Sequence, residues 1–146
     1  MQYNFYGREE SLNVHAIDNT YNKINTPCDL YDALLNIWCE YSCTSRLRYK
    51  WNEDNITLGQ CSITSFLAQD IFGGRVFGIQ RPEGGIHCYN VVNDCVFDLT
   101  SEQFCGEELD YSLNNNQEQT REKHFADVEK RQRYEYLKSK LMKVCK

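Results

Sequence analysis

Three residues of the sequence could together form a nucleophilic site, namely Cys61, His87 and Asp98. A cysteine attacks a carbonyl as its thiolate, and an imidazole partner together with a helix N-terminus is an established way to stabilise that thiolate. A carboxylate beside the imidazole would fix the orientation of the ring. In this order the three residues predict a nucleophile, a general base and an orienting group.

Cys61 is predicted to lie in the first turn of a helix. Apolar residues recur at helical spacing from Cys61 to Phe72, and the glycines at 73 and 74 supply the left-handed conformation that helix C-termini favour. Among the eight cysteines, only Cys61 follows a glycine two positions earlier and starts an apolar helix, whereas Cys28 begins a helix with no histidine nearby in the sequence. Backbone N–H groups at such a start could hold a developing oxyanion.

The strand pattern is expected to bring His87 to Asp98. Three antiparallel strands are predicted over residues 75–80, 86–92 and 95–99. If Asn93 and Asp94 form a two-residue turn, Tyr89 faces Asp98, and His87 becomes the diagonal neighbour of Asp98 on the same face, with Cα atoms roughly 7–8 Å apart. A one-residue change in the loop would place the two side chains on opposite faces.

Helices are predicted on both sides of this core. Thr26 and Pro27 resemble an N-cap and a first helical position, and they open an amphipathic helix of about four turns whose apolar stripe includes Trp38 and Tyr41. Residues 100–103 have the pattern of a short helix, and residues 106–120 are predicted to form a loop. A long C-terminal helix is predicted to dock through Phe125, Val128, Tyr134, Leu137, Leu141 and Val144.

The predicted fold class is therefore α+β, with a small antiparallel sheet packed against a central helix and helices at the N- and C-terminal ends. Residues 1–25 show no clean periodicity and are treated as an N-terminal arm, and residues 26–146 as one domain. The length of 146 residues fits a single hydrophobic core.

Four further residues are candidates for substrate binding. Asn55 and Gln60 carry amides close to Cys61 that could stabilise an oxyanion, and Trp51 could line a pocket or simply pack. Tyr89 could contact substrate or serve the packing of the sheet. Of the histidines other than His87, the one at 124 is surrounded by charged residues and is predicted to be an ordinary exposed helical residue.

Neither a metal nor a cofactor is predicted. The sequence has no Cys-x-x-Cys pair, so a zinc site would need ligands gathered from scattered positions. Neither Gly-Gly pair opens a helix in the pattern that phosphate loops require.

The composition of the chain indicates which classes of binding partner to expect. The net charge is −5, although residues 118–146 carry nine Lys and Arg against five Asp and Glu, which favours a solvated helix face over a nucleic-acid patch. No secretory signal and no apolar run of roughly 20 residues is visible, so a cytoplasmic protein without membrane binding is expected, with most of its cysteines as buried free thiols. The expected partner is a small molecule or a peptide, and the oligomeric state is left open.

Short motifs in order give the sequence a resemblance to the YunG-like family. These motifs lie at residues 58–64 (LGQCSIT), 70–74 (DIFGG), 85–90 (GIHCYN) and 98–104 (DLTSEQF), and the tail over residues 121–137 fits the same pattern. The resemblance covers roughly residues 27–141. It implies a cytosolic bacterial protein and assigns no activity.

A more distant similarity is to the papain-like and transglutaminase-like superfamily, in which a helix-borne cysteine precedes a strand-borne histidine and an Asp or Asn on the following strand. Cys61, His87 and Asp98 match that order. The chain is small for a peptidase and shows no separate substrate-binding subdomain.

Two hypotheses follow. The first is a cysteine-dependent hydrolase or acyltransferase that acts on an amide, ester or thioester. The second is a binding or regulatory domain in which the same residues are structural. A Cys61 sulfur within about 4 Å of a His87 nitrogen, at the bottom of an open cleft, would favour the enzyme, and a sealed thiol would favour the binding domain.

Overall fold

The computed structural model describes residues 5–145, so residues 1–4 of the predicted arm and Lys146 of the predicted domain lie outside it. Its α-helices are α1 (Arg8–Ser11), α2 (Pro27–Leu34), α3 (Cys61–Phe72), α4 (Arg121–His124) and α5 (Val128–Val144). Its strands are β1 (Arg75–Gln80), β2 (Ile86–Val92), β3 (Cys95–Phe97) and β4 (Gln117–Gln119). Short 3₁₀ helices span Ser45–Lys50, Ser101–Phe104 and Leu113–Asn115. The α+β class is confirmed.

The sheet is antiparallel, with strand order β3-β2-β1-β4. Val92 pairs with Cys95 across the turn at Asn93 and Asp94, which is the register expected for a two-residue turn. Asn93 has a φ of 54°, a left-handed conformation that asparagine tolerates better than most residues. The predicted hairpin is therefore confirmed, although β3 itself ends at Phe97.

Strand β4 was missing from the sequence prediction, which treats residues 106–120 as loop throughout. Its three residues Gln117, Glu118 and Gln119 pair with β1 at the edge of the sheet. All three side chains are polar, so the segment has no alternation of apolar and polar residues to reveal it. The predicted three-stranded sheet is corrected to four strands.

Helix α3 is the central element of the core. It packs on β2 and on α5, and Ile63, Phe66 and Leu67 are fully buried. Gly73 ends the helix with a φ of 78°, as the sequence predicts. This packing fixes where Cys61 lies relative to the sheet.

Helix α2 is shorter than predicted. It begins with the expected N-cap Thr26, which forms a capping box with Asp29, but it ends at Leu34 after two turns. From Asn36 onward the backbone hydrogen bonds include i−3 contacts, so the regular helix stops while the apolar stripe continues into a turn. Ile37 and Trp38 remain buried there, which explains why the periodicity looked like a longer helix.

The C-terminal segment is divided into α4 and α5, because Asp127 caps a new helix by accepting a hydrogen bond from the Lys130 backbone N–H. Tyr134, Leu137 and Leu141 are buried as predicted, whereas Val128 and Val144 are exposed.

The described part of the N-terminal arm belongs to the core. Phe5, Val14, Tyr21 and Ile24 are buried in the same apolar cluster as α3. Among residues 5–145, no helix combines the length and the apolar character that crossing a bilayer requires.

Candidate active site

Cys61 is the first residue of α3, so its thiol lies at the positive end of a twelve-residue helix. Three turns of helix with a well-packed apolar side hold this position in place. The residue is only partly buried, unlike the sealed thiols of Cys43 and Cys88. The helix N-terminus favours the negative form of this sulfur.

His87 and Asp98 form a buried pair beside this helix end. The Nε2 atom of His87 lies 2.5 Å from Oδ2 of Asp98, and the two side chains are 2% and 1% exposed. The contact expected from the hairpin register is thus present, with Asp98 just past the end of β3. The backbone at Asp98 is held by an isolated bridge to Tyr6 in the N-terminal arm.

Other groups orient the Asp98 carboxylate. The Tyr111 hydroxyl donates to Oδ2 at 2.7 Å, and the backbone N–H and the hydroxyl of Thr100 approach Oδ1 at 3.2 and 3.4 Å. Tyr111 did not appear among the candidate site residues from the sequence, because it lies in a loop whose path over the sheet no periodicity predicts. The carboxylate therefore has donors besides the imidazole.

The second imidazole nitrogen, Nδ1 of His87, is buried and has no hydrogen-bond partner within residues 5–145. The Cys61 sulfur instead lies 3.7 Å from the Ile86 carbonyl oxygen. Burial lowers the pKa of His87, but the charge and the hydrogen bond of Asp98, with a smaller contribution from Cys61, outweigh burial and raise it to about 10. The ring is therefore cationic at neutral pH.

The pKa of Cys61 is held well below the usual range of a thiol. Hydrogen bonding with the Cys88 thiol is the largest cause, and interaction with the His87 imidazole adds to it against the opposing effect of burial. Conversely, the interaction with Cys61 and burial raise the pKa of Cys88 well above its usual value. The arrangement favours a thiolate at Cys61 and a neutral, donating thiol at Cys88.

Ser62 lies between these two sulfurs. Its hydroxyl oxygen is 3.9 Å from the Cys61 sulfur and 3.6 Å from the Cys88 sulfur. The alternation of β2 places Cys88 on the face of the sheet toward α3, and it places the adjacent His87 on the opposite face, with Tyr89 and Val91. The sequence showed Cys88 only as one of several predicted buried thiols.

Cys61 and His87 line one cleft with a volume of about 290 Å³. One wall is the 3₁₀ helix Ser45–Lys50, and another is the turn that leads through Gly84 and Gly85 into β2. Gln103 and Phe104 contribute further lining. The thiol and the imidazole thus line the same cleft, although no hydrogen bond joins them within residues 5–145.

In the described part of the chain, none of the four predicted substrate-binding residues lines this cleft. The amide nitrogen of Gln60 donates to the Cys39 carbonyl, and that of Asn55 donates to the Gln103 carbonyl. The Trp51 indole donates to the Ile56 carbonyl.

Tyr89 is fully buried in a second apolar cluster with Phe77, Ile79 and Val91. Its role is therefore the packing of the sheet, which was the alternative considered for it. Substrate contact by any of these four residues has no support from their positions.

His124 differs from its prediction as an exposed helical residue, because it is 8% exposed. Its Nε2 lies 2.8 Å from Oε1 of Gln119, and its Nδ1 lies 2.9 Å from the Lys130 ammonium. Burial first, and then the charge of Lys130, lower the pKa of His124 to about 4. Helix α4 directs this side chain into the protein. The charged residues next to His124 in the sequence had indicated an exposed position instead.

Residues 5–145 contain no group of three or more His, Cys, Asp or Glu side chains arranged to hold a metal ion.

Comparison with known proteins identifies one family. The family described as YunG protein matches residues 26–146. A segment of 55 residues is 46% identical to the "Uncharacterized protein YunG" of Bacillus subtilis (strain 168), covering 38% of the present chain and 47% of that relative. The chain thus spans about half the length of the curated relative that it matches. No solved structure shows significant similarity to it.

Proposed function

The chain belongs to the YunG family, and we propose that it is a cysteine-dependent hydrolase or acyltransferase acting on an amide, ester or thioester. The single observation that carries the proposal is the placement of Cys61 and His87 in one cleft, with the buried Asp98 carboxylate on the far side of the imidazole. This is the order of groups that a thiol nucleophile needs. The proposal retains the likeness to papain-like and transglutaminase-like enzymes at the level of chemistry, not of fold.

The first half of the reaction forms an acyl-enzyme. The Cys61 sulfur attacks the carbonyl carbon of the substrate, while His87 Nδ1 holds the proton that the thiol has given up. Asp98 keeps the ring oriented through Nε2 and stabilises its positive charge. The negative charge that develops on the carbonyl oxygen is placed near the unpaired backbone N–H groups at the start of α3.

The second half releases the products. The tetrahedral intermediate collapses, the bond to the leaving group breaks, and the imidazolium gives its proton to the departing amine, alcohol or thiol. Water or another acceptor then attacks the thioester carbonyl while His87 takes its proton, and the carbon–sulfur bond breaks to release the acyl product and regenerate the Cys61 thiolate. Hydrolysis and acyl transfer follow the same steps and differ only in whether the acceptor is water or another molecule.

Acetylation of Cys61 by p-nitrophenyl acetate tests the proposal. Release of nitrophenol should begin with a burst, and the tryptic peptide spanning residues 51–75, in which Cys61 is the sole cysteine, should carry an acetyl group. Cys61→Ala should abolish both signals. Cys105→Ala, which removes an exposed thiol, is the matched control and should leave both unchanged.

The pH dependence of alkylation gives the second measurement. Iodoacetamide should modify Cys61 at a nearly constant rate well below pH 8, because the thiolate persists there, whereas an ordinary thiol loses reactivity below its pKa of about 8.5. A Cys61 that titrates like an ordinary thiol and accepts no acetyl group would refute the enzyme and leave the binding or regulatory domain.

A further inference from the structure

The cleft around Cys61 has a positive charge that the whole chain does not share. Five Lys and Arg residues line it, and Glu83 is the one acidic residue among the lining residues in the described part of the chain. The net charge of the full chain is −5. The positive sign is therefore a local property of this cleft, and local fields of this kind select the charge of a ligand. The basic residues are Arg46, Lys50, Arg81, Lys130 and Arg133.

Two of these cations are already paired with carboxylates. Arg81 contacts Glu83 and Glu107 at 2.9 Å, and Arg133 contacts Glu129 at 2.8 Å. Their charges are largely balanced in place, so they contribute structure more than attraction for a ligand.

The other three cations have no carboxylate partner within residues 5–145. Arg46 and Lys50 are exposed, and the Arg46 guanidinium lies 3.4 Å from the Gly84 carbonyl oxygen. Lys50 lies over the ring of Tyr49, and the ammonium of Lys130 contacts His124, whose ring the low pKa keeps neutral. These side chains retain charge that an anion entering the cleft can pair with.

The Arg46 guanidinium lies against the glycine turn before β2. A Cβ atom at Gly85 would lie 2.4 Å from an Arg46 nitrogen, so the glycine leaves the space in which the guanidinium lies. Gly85 is two residues before His87 along the chain. The guanidinium therefore belongs to the wall of the cleft that Cys61 and His87 also line.

We propose that the cleft selects substrates with a negatively charged group, such as a carboxylate, which binds against Arg46 and Lys50 while the acyl carbon meets Cys61. The inference rests on the proposed function, because it names the substrate class of that same site. Arg46 and Lys50 are specificity-determining residues in this proposal, and they take no part in bond making or breaking.

Two reagents with the same chemistry test the charge preference. Iodoacetate and iodoacetamide both lose iodide as the thiolate sulfur forms a bond to carbon, and they differ in that iodoacetate carries a carboxylate. The measured quantity is the rate of modification of Cys61 by iodoacetate divided by its rate with iodoacetamide, both followed in the peptide spanning residues 51–75. This ratio is compared with the same ratio for 2-mercaptoethanol, a small thiol compound without other charged groups. The ratio cancels any change in the amount of thiolate, because both reagents need the same species.

The ratio should favour iodoacetate at Cys61 by about fivefold or more, and added salt should reduce that preference. Removing the two exposed cations together, as Arg46→Gln with Lys50→Gln, should lower the ratio by about threefold to tenfold. Since the His87 imidazolium also attracts iodoacetate, this change on substitution is the decisive result. Arg131→Gln, which removes an exposed positive charge of α5 outside the cleft, should leave the ratio unchanged.

An equal ratio in the doubly substituted and unmodified proteins would overturn the charge preference. The outcomes for the two proposals are separate. An ordinary pH profile and no acetylation of Cys61, together with a charge-dependent ratio, would refute the enzyme but not the anion preference of the cleft. A depressed pKa with a charge-independent ratio would refute the anion preference alone.

Discussion

Two buried histidines of this protein have opposite electrostatic surroundings. His87 and His124 are 2% and 8% exposed, and the Nε2 atom of each contacts a side-chain oxygen. For His87 that oxygen belongs to a carboxylate, whereas for His124 it belongs to the Gln119 amide. On the Nδ1 side, His124 contacts the Lys130 ammonium, whereas Nδ1 of His87 has no hydrogen-bond partner within the described residues.

A neighbouring charge thus outweighs burial at His87, where Asp98 is negative, and adds to burial at His124, where Lys130 is positive. Burial disfavours the cation at both sites, yet the pKa of His87 is about 10 and that of His124 is about 4. A cationic His87 can stabilise a thiolate. A neutral His124 accepts a hydrogen bond from Lys130 and keeps that ammonium beside the cleft.

Asp98→Asn should have the largest effect, because it removes the charge that distinguishes the two histidines. Burial would then dominate at His87, so its pKa should fall, and the pKa of Cys61 should rise as the thiolate loses its cationic partner. Alkylation of Cys61 at pH 6 and acetyl transfer should both slow by roughly 100-fold or more. Nitrogen-15 NMR of His87 and peptide mass spectrometry measure the two effects.

Asp32→Asn is the control for this substitution, because Asp32 is an exposed carboxylate of α2. It should change neither the histidine signal nor the alkylation rate. A thiol in Asp98→Asn that reacted as fast as in the unmodified protein at pH 6 would show that the carboxylate does not set the charge of His87. Circular dichroism confirms that both variants are folded.

The sequence is sufficient to predict the placement of Cys61, His87 and Asp98, because each depends on a local signal. A glycine-terminated apolar helix places the first, and a two-residue turn fixes the register that joins the other two. The same signals give the α+β class and most of the boundaries of α3, β1 and β2.

The remaining features depend on contacts between segments far apart in the chain. Strand β4 is polar and short, and only its pairing with β1 makes it a strand. Tyr111 reaches Asp98 from a loop, and α4 turns His124 inward from a run of charged residues. The basic side chains of the cleft come from three regions, so no single stretch of sequence displays the cluster.

Cys88→Ala tests the neutral thiol that supports the nucleophile. The substitution removes the hydrogen bond that most lowers the pKa of Cys61, so that pKa should rise while His87 keeps its carboxylate. A hydrogen bond to a charged group contributes about 1.5 kcal/mol or more, which predicts about tenfold slower iodoacetamide alkylation at pH 6 and little change at pH 9.

Cys95→Ala is the matched control for Cys88→Ala, because it removes a thiol from the neighbouring strand outside the cleft. It should preserve the pH profile of Cys61. If the profile of Cys88→Ala also stays in place, the imidazolium and the helix N-terminus are sufficient to stabilise the thiolate, and the comparison between the two histidines becomes the whole explanation.

Tyr111→Phe should have a smaller effect, measured as stability. The Tyr111 hydroxyl donates to the Asp98 carboxylate, which makes His87 cationic. Phenylalanine lacks this hydroxyl, so the hydrogen bond is lost. The free energy of unfolding from urea titration should fall by about 1.5–2 kcal/mol. Tyr49→Phe, at an exposed ring, should cost much less. Equal losses in the two variants would mean that the bond to Asp98 contributes no net stability.

His124→Gln should have the smallest effect, which is a change in stability that is seen only at acidic pH. Because the folded pKa of about 4 lies below the unfolded value near 6.5, the unfolded state binds more protons between these limits, so stability falls as pH is lowered through that window. Glutamine can keep both hydrogen bonds without titrating, and it should recover roughly 1 kcal/mol of that loss at pH 5, after allowance for solvent screening. Urea titrations at pH 7 and pH 5 measure the difference, with His15→Gln, at an exposed ring, as the control. If the free energy of unfolding falls as much between pH 7 and pH 5 in His124→Gln as in the unmodified protein, the pKa of His124 is not lowered by folding. The contrast with His87 would then rest on Asp98 alone.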